Sequence, residues 1–324
     1  HSKPNMQLGG FYNFDTHLFD QDEQGTADFS SIMTAQDAEV NIKMRGELDN
    51  GMKIGGRIEL EASNAGDQID QSWLTLEAGW GRIDVGAINS GRYNLSWTVN
   101  APNVAHGISS GVQTEWLTHN GGTGDFAFRR PLGSANVDAS NDDQGIHYYS
   151  PRFNGFKIAL SYRPSVSTTQ GGGSGGSNLG EVDQTSNYHD AFDLGVQYTG
   201  SFGDVGLTAL MGYATASAPT VAKNGVANGG TFTFDDYTST NMGFRISTSG
   251  FKVGGMIADV SDGFCVDGGD ADCADTTDRS SEGTAYTFGA SYGSGPWAVS
   301  AQVHNGEVKD SVGNTQDTEM DVWS

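Results

Sequence analysis

From Ala38 to Ala62 the chain alternates two kinds of side chain without a slip. Even positions carry Val40, Ile42, Met44, Leu48, Met52, Ile54, Ile58 and Leu60, while odd positions carry Glu39, Asn41, Lys43, Arg45, Glu47, Lys53, Arg57, Glu59 and Glu61. A period of two places alternate side chains on opposite faces of an extended strand. The beat survives Asp49-Asn50-Gly51 in its middle. Asn and Gly tolerate the positive φ that a tight hairpin turn requires. The stretch therefore predicts two antiparallel strands with one oily face and one charged face. A soluble sandwich and a membrane-spanning cylinder both accommodate such a hairpin, so the rest of the chain must decide between them.

The same beat predicts strands at 6–15, 37–48, 52–62, 69–78, 81–88, 143–150, 156–163, 191–199, 204–214, 239–248, 250–259, 284–292 and 296–304, with another beginning near Glu319. The joints between them alternate in length. Short ones are Asp49-Asn50-Gly51, Gly79-Trp80-Gly81, Phe153-Asn154-Gly155, Ser201-Phe202-Gly203, Thr248-Ser249-Gly250 and the Gly293–Pro296 turn. Long polar loops fill 16–36, 63–68, 89–142, 164–190, 215–238, 260–283 and 305–318. In an up-and-down meander every second joint falls at the same end, so one end carries turns and the other loops. Outer-membrane barrels have this asymmetry, whereas a Greek-key sandwich has no reason to keep the two lengths apart.

Several further features agree. Phe156, Ile158, Leu160 and Tyr162 share one face of their strand, as do Val205, Leu207, Ala209, Met211 and Tyr213 of theirs. The opposite faces are rich in Gly, Ser, Thr, Asn, Gln and charged residues, which suit water. Segments of about ten residues are long enough for a tilted strand to cross hydrocarbon. Closing the sheet satisfies every backbone donor and acceptor without water, as lipid demands. Trp73, Trp80, Tyr148, Tyr149, Tyr162, Tyr198, Tyr213, Tyr292 and Trp297 lie near segment ends. Tyr and Trp favour the headgroup level and form girdles there. The formal net charge of −23 argues against a nucleic-acid surface, which needs clustered Lys and Arg. No apolar run long enough for a spanning helix is present.

MQLGGFYNF at 6–14, QSWLTLEAGWGRIDVGAI at 71–88 and GIHYYSPRFNGFKIALSYRP at 145–164 resemble the general porins of Gram-negative bacteria, and YYSPRFNGF is closest to alphaproteobacterial ones. The pieces stand in the family's order and span essentially the whole chain. The resemblance implies one all-β domain over 1–324: a transmembrane antiparallel up-and-down β-barrel of about 16 strands, a water-filled diffusion pore for small polar solutes. It also implies a homotrimer in the outer membrane, among outer-membrane lipid and lipopolysaccharide, with no cofactor and no enzymatic step. The third long loop of such proteins folds into the lumen, and here that loop is 89–142. The chain stops at Val322-Trp323-Ser324, just inside a strand, which departs from the family's complete last strand. With an even strand number the expectation is that roughly two and a half C-terminal strands are missing.

If the apolar row faces outward, Lys43, Arg45, Arg57 and Arg82 share the inward parity. Glu115 and Asp125 stand on the inserted loop, with Arg129 and Arg130 close behind. The family pattern sets loop acids against wall bases, so the resemblance assigns Lys43, Arg45, Arg57, Arg82, Glu115 and Asp125 to the pore constriction. Charges facing across a narrow wet gap bias ion selectivity. The bland reading is that they are solvated lumen charges in weak pairs.

Two loop features are separate from the pore. Cys265 and Cys273 are the chain's two cysteines and sit in one acidic loop; a disulfide closing it is preferred over free thiols. Asp267, Asp270 and Asp272 in that loop offer carboxylates of the kind Ca²⁺ takes, without EF-hand spacing, and repulsion between neighbours is the alternative use. The histidines show no metal-ligand spacing. GGGSGGSN at 171–178 lacks the following Lys-Ser/Thr of a phosphate loop. The competing functions are a barrel-type outer-membrane hydrolase and a secreted β-rich binding protein or adhesin. The first needs a Ser-His pair that nothing in the sequence selects, and the second must remain monodisperse without detergent.

Overall fold

The computed structural model describes residues 5–18, 32–62, 69–103, 134–139, 142–166, 188–218, 233–234, 236–262, 266–267, 282–308 and 318–323. In chain order the strands are β1 (Asn5–Leu18), β2 (Ile32–Glu47), β3 (Lys53–Glu61), β4 (Ile69–Ala78), β5 (Gly81–Ala87), β6 (Gln144–Tyr149), β7 (Phe156–Val166), β8 (Tyr188–Phe202) and β9 (Val205–Ser217). They continue with β10 (Thr233–Phe234), β11 (Tyr237–Thr248), β12 (Phe251–Asp262), β13 (Val266–Asp267), β14 (Gly283–Ser294), β15 (Trp297–Val308) and β16 (Thr318–Trp323). Fourteen of them form one antiparallel sheet in which each strand's neighbours are those next to it in that sheet's sequence order. The short strands β10 and β13 pair separately as a two-stranded ribbon. One helix, α1 (Gly91–Ser96), leaves the end of β5.

Turn chemistry explains the hairpins. Asn154 and Gly155 take φ of 48° and 88°, and Ser249 and Gly250 take 44° and 87°. Two consecutive positive-φ residues make the primed turn whose twist matches its flanking strands. At the first hairpin Gly51 has φ 79° and its N–H donates to Leu48 O at 2.9 Å. The register then sets Ile42 opposite Ile58 and Lys43 opposite Arg57, so the oily and charged rows of β2 and β3 stay on their own faces.

Burial is inverted relative to a water-soluble protein. Met211 is 61% exposed and Ile146 53%, whereas His147 and Arg163 are 0% exposed and Asp193 3%. An outward surface made of Leu, Ile, Val, Met and aromatic side chains is a liability in water but matches hydrocarbon. Aromatic pairs stand at both ends of the strands: Phe156 with Tyr198 and Phe251 with Tyr292 near the turns, Tyr162 with Phe192 toward the loops, at centroid separations of 5.0, 4.3 and 4.8 Å. Two residues expected in the girdles are not there. Trp73 lies beneath the Arg57 guanidinium at 5.6 Å, and Tyr149 is buried beside Arg82 and Lys157. Both rings have inward parity, which the spacing from segment ends does not reveal.

Candidate functional site

The third long loop enters the concave side of the sheet. Its described first limb runs from Ile88 to Asn103 and its return limb from Ser134 to Ala139; Ser134–Ala139 and most of Ile88–Asn103 are buried. α1 begins at Ser90, whose Oγ accepts the Tyr93 N–H at 3.1 Å. A serine at this position satisfies a helical N–H that the helix cannot pair itself. The same hydroxyl donates to Asp138 Oδ2 at 2.9 Å and so ties the two limbs together. Gly91 N–H donates to Ser161 Oγ on β7 at 2.7 Å, fixing the start of the helix to the wall.

Four buried charges then fasten both limbs. Arg92 Nε lies 3.2 Å from Asp193 Oδ1, and Arg163 Nη2 lies 2.5 Å from Asp193 Oδ2 and 3.0 Å from Asp138 Oδ1. Arg92 Nη2 stands 3.5 Å from Asp138 and donates to Val137 O at 2.6 Å. All four side chains have no exposed surface. Two guanidinium groups and two carboxylates balance formally, which removes the penalty of a lone charge in a dry place. Arg92 and Asp138 come from the loop, while Arg163 and Asp193 come from β7 and β8.

Beyond this anchor the segment runs on across the wall. Gln197 of β8 donates to Leu95 O at 3.3 Å and to Thr98 Oγ1 at 2.9 Å. Arg245 of β11 donates to Asn100 O, and Gln302 of β15 donates to Ala101 O and Pro102 O at 2.8 and 3.2 Å. One short stretch of chain therefore touches strands from β7 to β15, which requires the sheet to curve around it. Inward glycines make room for this approach. A Cβ on Gly212 meets Arg92 Cδ at 2.7 Å, and one on Gly243 meets Val99 Cγ2 at 2.7 Å. These contacts are tighter than real side chains adopt, so glycine is what allows loop and wall to touch there.

The four wall bases expected at the constriction come together. Lys43, Arg45, Arg57 and Arg82 line one cavity of about 660 Å³, with Lys53, Trp73, Glu47 and Glu77 among its other walls. Most of these bases have acidic neighbours. Arg57 contacts Glu59 and stands 3.6 Å from Glu39; Arg82 Nη2 lies 2.7 Å from Asp84; Lys53 Nζ lies 3.2 Å from Glu77. Glu39 and Glu59 also lie close to Asp70, and Arg57 sits against that acidic group. Glu115 and Asp125 lie outside the described residues, as do Arg129, Arg130, Cys265, Cys273, Asp270 and Asp272. Asp267 is placed by its backbone in β13, opposite Thr233.

Sequence reasoning missed the anchor of Arg92, Asp138, Arg163 and Asp193. Arg163 and Asp193 had a faint signal, since both are charged residues of inward parity on their strands. Nothing local links them to Arg92 or Asp138, because the contact exists only once the loop is inside.

A family model described as Gram-negative porin matches residues 2–323. Among solved structures, Salmonella typhi OmpF in complex with daunomycin has a TM-score of 0.59 at 15% identity, covering 98% of this chain and 82% of that one. Outer-membrane expressed OmpT of Vibrio cholerae gives 0.54 at 12% identity, over 99% and 80% of the two chains. A variant of that protein lacking one loop gives 0.54 at 12% identity, over 98% and 84%. At these identities the likeness is one of fold. No curated protein matches the sequence.

Proposed function

This chain belongs to the Gram-negative porin family, and from that premise we propose how it passes and selects its solutes. The protein is an outer-membrane channel. Water-filled space inside the sheet carries ions and small hydrophilic solutes down their gradients, without a covalent step. The inward loop narrows the passage. We assign the loop acids Glu115 and Asp125 and the wall bases Lys43, Arg45, Arg57 and Arg82 to opposite sides of that narrowing. A polar solute orients its dipole between the two rows, whereas an apolar one must displace ordered water to enter. Three such chains associate, each with its own pore.

The observation that carries this reading is the buried attachment of the loop's described limbs, 88–103 and 134–139, to the inner wall, from the Arg92–Asp193 pair to the contacts of Gln302 with Ala101 and Pro102. The test is electrical. Purified protein added to a planar bilayer is expected to give ohmic current steps that fall in threes. Smooth current without steps, or none, contradicts a trimeric pore.

A further inference from the structure

The inner loop turns one large aromatic ring toward the pore. We propose that Trp97 is a stacking platform for ring-bearing solutes, so that the passage holds a pyranoside or a planar heterocycle better than a ring-free polyol. This inference rests on the channel reading and names the solute class that the same passage favours.

Burial singles the residue out. Every residue from Gly91 to Pro102 is buried or half-buried except Trp97 and Thr98, and Trp97 is 41% exposed. The other exposed tryptophans among the described residues, Trp80, Trp297 and Trp323, lie at turns or strand ends. Headgroups welcome tryptophan at those levels. Trp97 is elsewhere, because its segment is pinned to the concave side of the sheet. Gln197 of β8 donates to Leu95 O on one side of it and to Thr98 Oγ1 on the other. Gln197 stands near the middle of β8, so the ring sits far from either mouth. Its exposed surface therefore faces the water of the lumen.

The ring is also held still. Trp97 caps the C-terminal end of α1, four residues after Tyr93. Side chains four apart are neighbours on a helix. The two rings meet edge to face, with centroids 5.8 Å apart and planes at 87°, and Tyr93 itself is buried. Ser96 Oγ donates to Tyr93 O at 2.6 Å and lies against Asn136 of the return limb, while Thr98 Oγ1 donates to Leu95 O at 2.7 Å. The backbone on both sides of the indole is thus fixed, and a solute stacking on it finds the ring already ordered.

Polar groups border this apolar face. Among the described residues no group accepts the indole N–H, and Tyr93 is the one ring partner. Asn94, three residues back, is a neighbour on the same side of the helix. Its amide nitrogen donates to Asn89 O and to Tyr149 Oη, both at 3.0 Å, and no described group donates to its oxygen. An aromatic face with a donor on its rim and an acceptor beside it matches a ring whose flat side is apolar and whose edge is polar. A linear polyol carries the same hydroxyls and has no face to stack.

The experiment uses the full chain in planar bilayers in KCl. Methyl β-glucoside, adenosine or sorbitol is added, and reversible block is read from the excess noise of the open-channel current. In wild type the ring solutes are expected to block at a concentration about tenfold below that of sorbitol, the order expected of one stacked ring. Trp97→Ala is expected to lose this margin while still conducting KCl. So is Trp97→Leu, which keeps apolar bulk without a ring. Trp97→Tyr is expected to keep most of the margin, and Trp80→Ala, at the β4–β5 turn, all of it. Block by both ring solutes supports a site for the ring face alone; block by the glucoside only supports a saccharide site, and by adenosine only a site for planar heterocycles. A wild-type channel that conducts without any margin over sorbitol overturns the inference alone, and so does a full margin in Trp97→Leu. Absence of any conductance in wild type overturns the channel reading, and the inference with it.

Discussion

Asp193→Asn is the sharpest test of how the loop is held. The substitution keeps the shape of the side chain and removes its charge. In the native arrangement Asp193 faces two guanidinium groups, Arg92 at 3.2 Å and Arg163 at 2.5 Å. After the change both lose that shared carboxylate and keep Asp138, with the Asp143 charge also acting on Arg163, so the two guanidinium groups are left under-compensated. Removing one partner of a buried ion pair costs about 3–5 kcal/mol. At about 4 kcal/mol, the ratio of docked to undocked loop falls roughly a thousandfold, since each 1.4 kcal/mol is tenfold. The remaining attachments at Ser161, Gln197 and Gln302 are ordinary hydrogen bonds, worth about 0.5–1.5 kcal/mol each, and the one from Arg245 to Asn100 O has a charged donor, worth about 1.5–3 kcal/mol; all of them already exist in the native protein. They do not make up that loss. The expected result is a wider, noisier channel, with faster hydrogen exchange at the Gly91 to Val99 amides while the strand amides stay protected. A second variant, Arg163→Met/Asp193→Leu, removes one cation and one anion together and leaves Arg92 with Asp138. It is expected to be milder than Asp193→Asn alone. If Asp193→Asn conducts quietly at the native level and its loop amides exchange as before, the charge anchor is not what holds the loop.

Two further outcomes follow from the same geometry. Gly243→Ala places a methyl where Val99 Cγ2 stands at 2.7 Å, and it is expected to lower unfolding stability by about 1–3 kcal/mol or to displace the loop, read by denaturant titration and by conductance. Met211→Lys puts a charge at the middle of the outward row of β9 and is expected to cost about 2–4 kcal/mol on folding into lipid vesicles; the inward-facing Thr208→Lys is expected to cost much less.

Much of the fold was legible because a period of two leaves a long record in sequence. Strands β2 to β5 fall within a residue or so of where alternation puts them, except at the loop end of β2. The record fails where the period breaks. β8 begins at Tyr188 rather than at 191, because Asp190 takes φ 50° and shifts the register between His189 and Phe192. An extra residue of this kind turns the following side chains to the other face, and Asp tolerates the conformation. On the neighbouring strand Pro164 looks like a stop, yet β7 continues to Val166. Arg163 pairs with Ala191 and Ser165 with His189, so the proline, which lacks an N–H, stands at the gap in the ladder opposite Asp190. α1 has six residues, too few for a helical period to show. The wall bases were readable from parity. Trp73 was misplaced because its distance from a strand end outweighed its parity. The charge anchor was invisible, since Arg92 and Asp138 meet Arg163 and Asp193 only through the tertiary path of the loop.

The central claim is that the apolar row touches hydrocarbon and the polar row touches water, and alternate thiol labelling tests it most directly. Cys265 and Cys273 are replaced by Ser, and single cysteines are placed at Ser247, Lys252, Val253 and Ile257 on the β11–β12 hairpin. In lipid vesicles a charged thiol reagent is expected to label Ser247→Cys and Lys252→Cys quickly and to leave Val253→Cys and Ile257→Cys unmodified. Equal labelling of the two sets, or fast labelling of the Val253 and Ile257 positions alone, contradicts it.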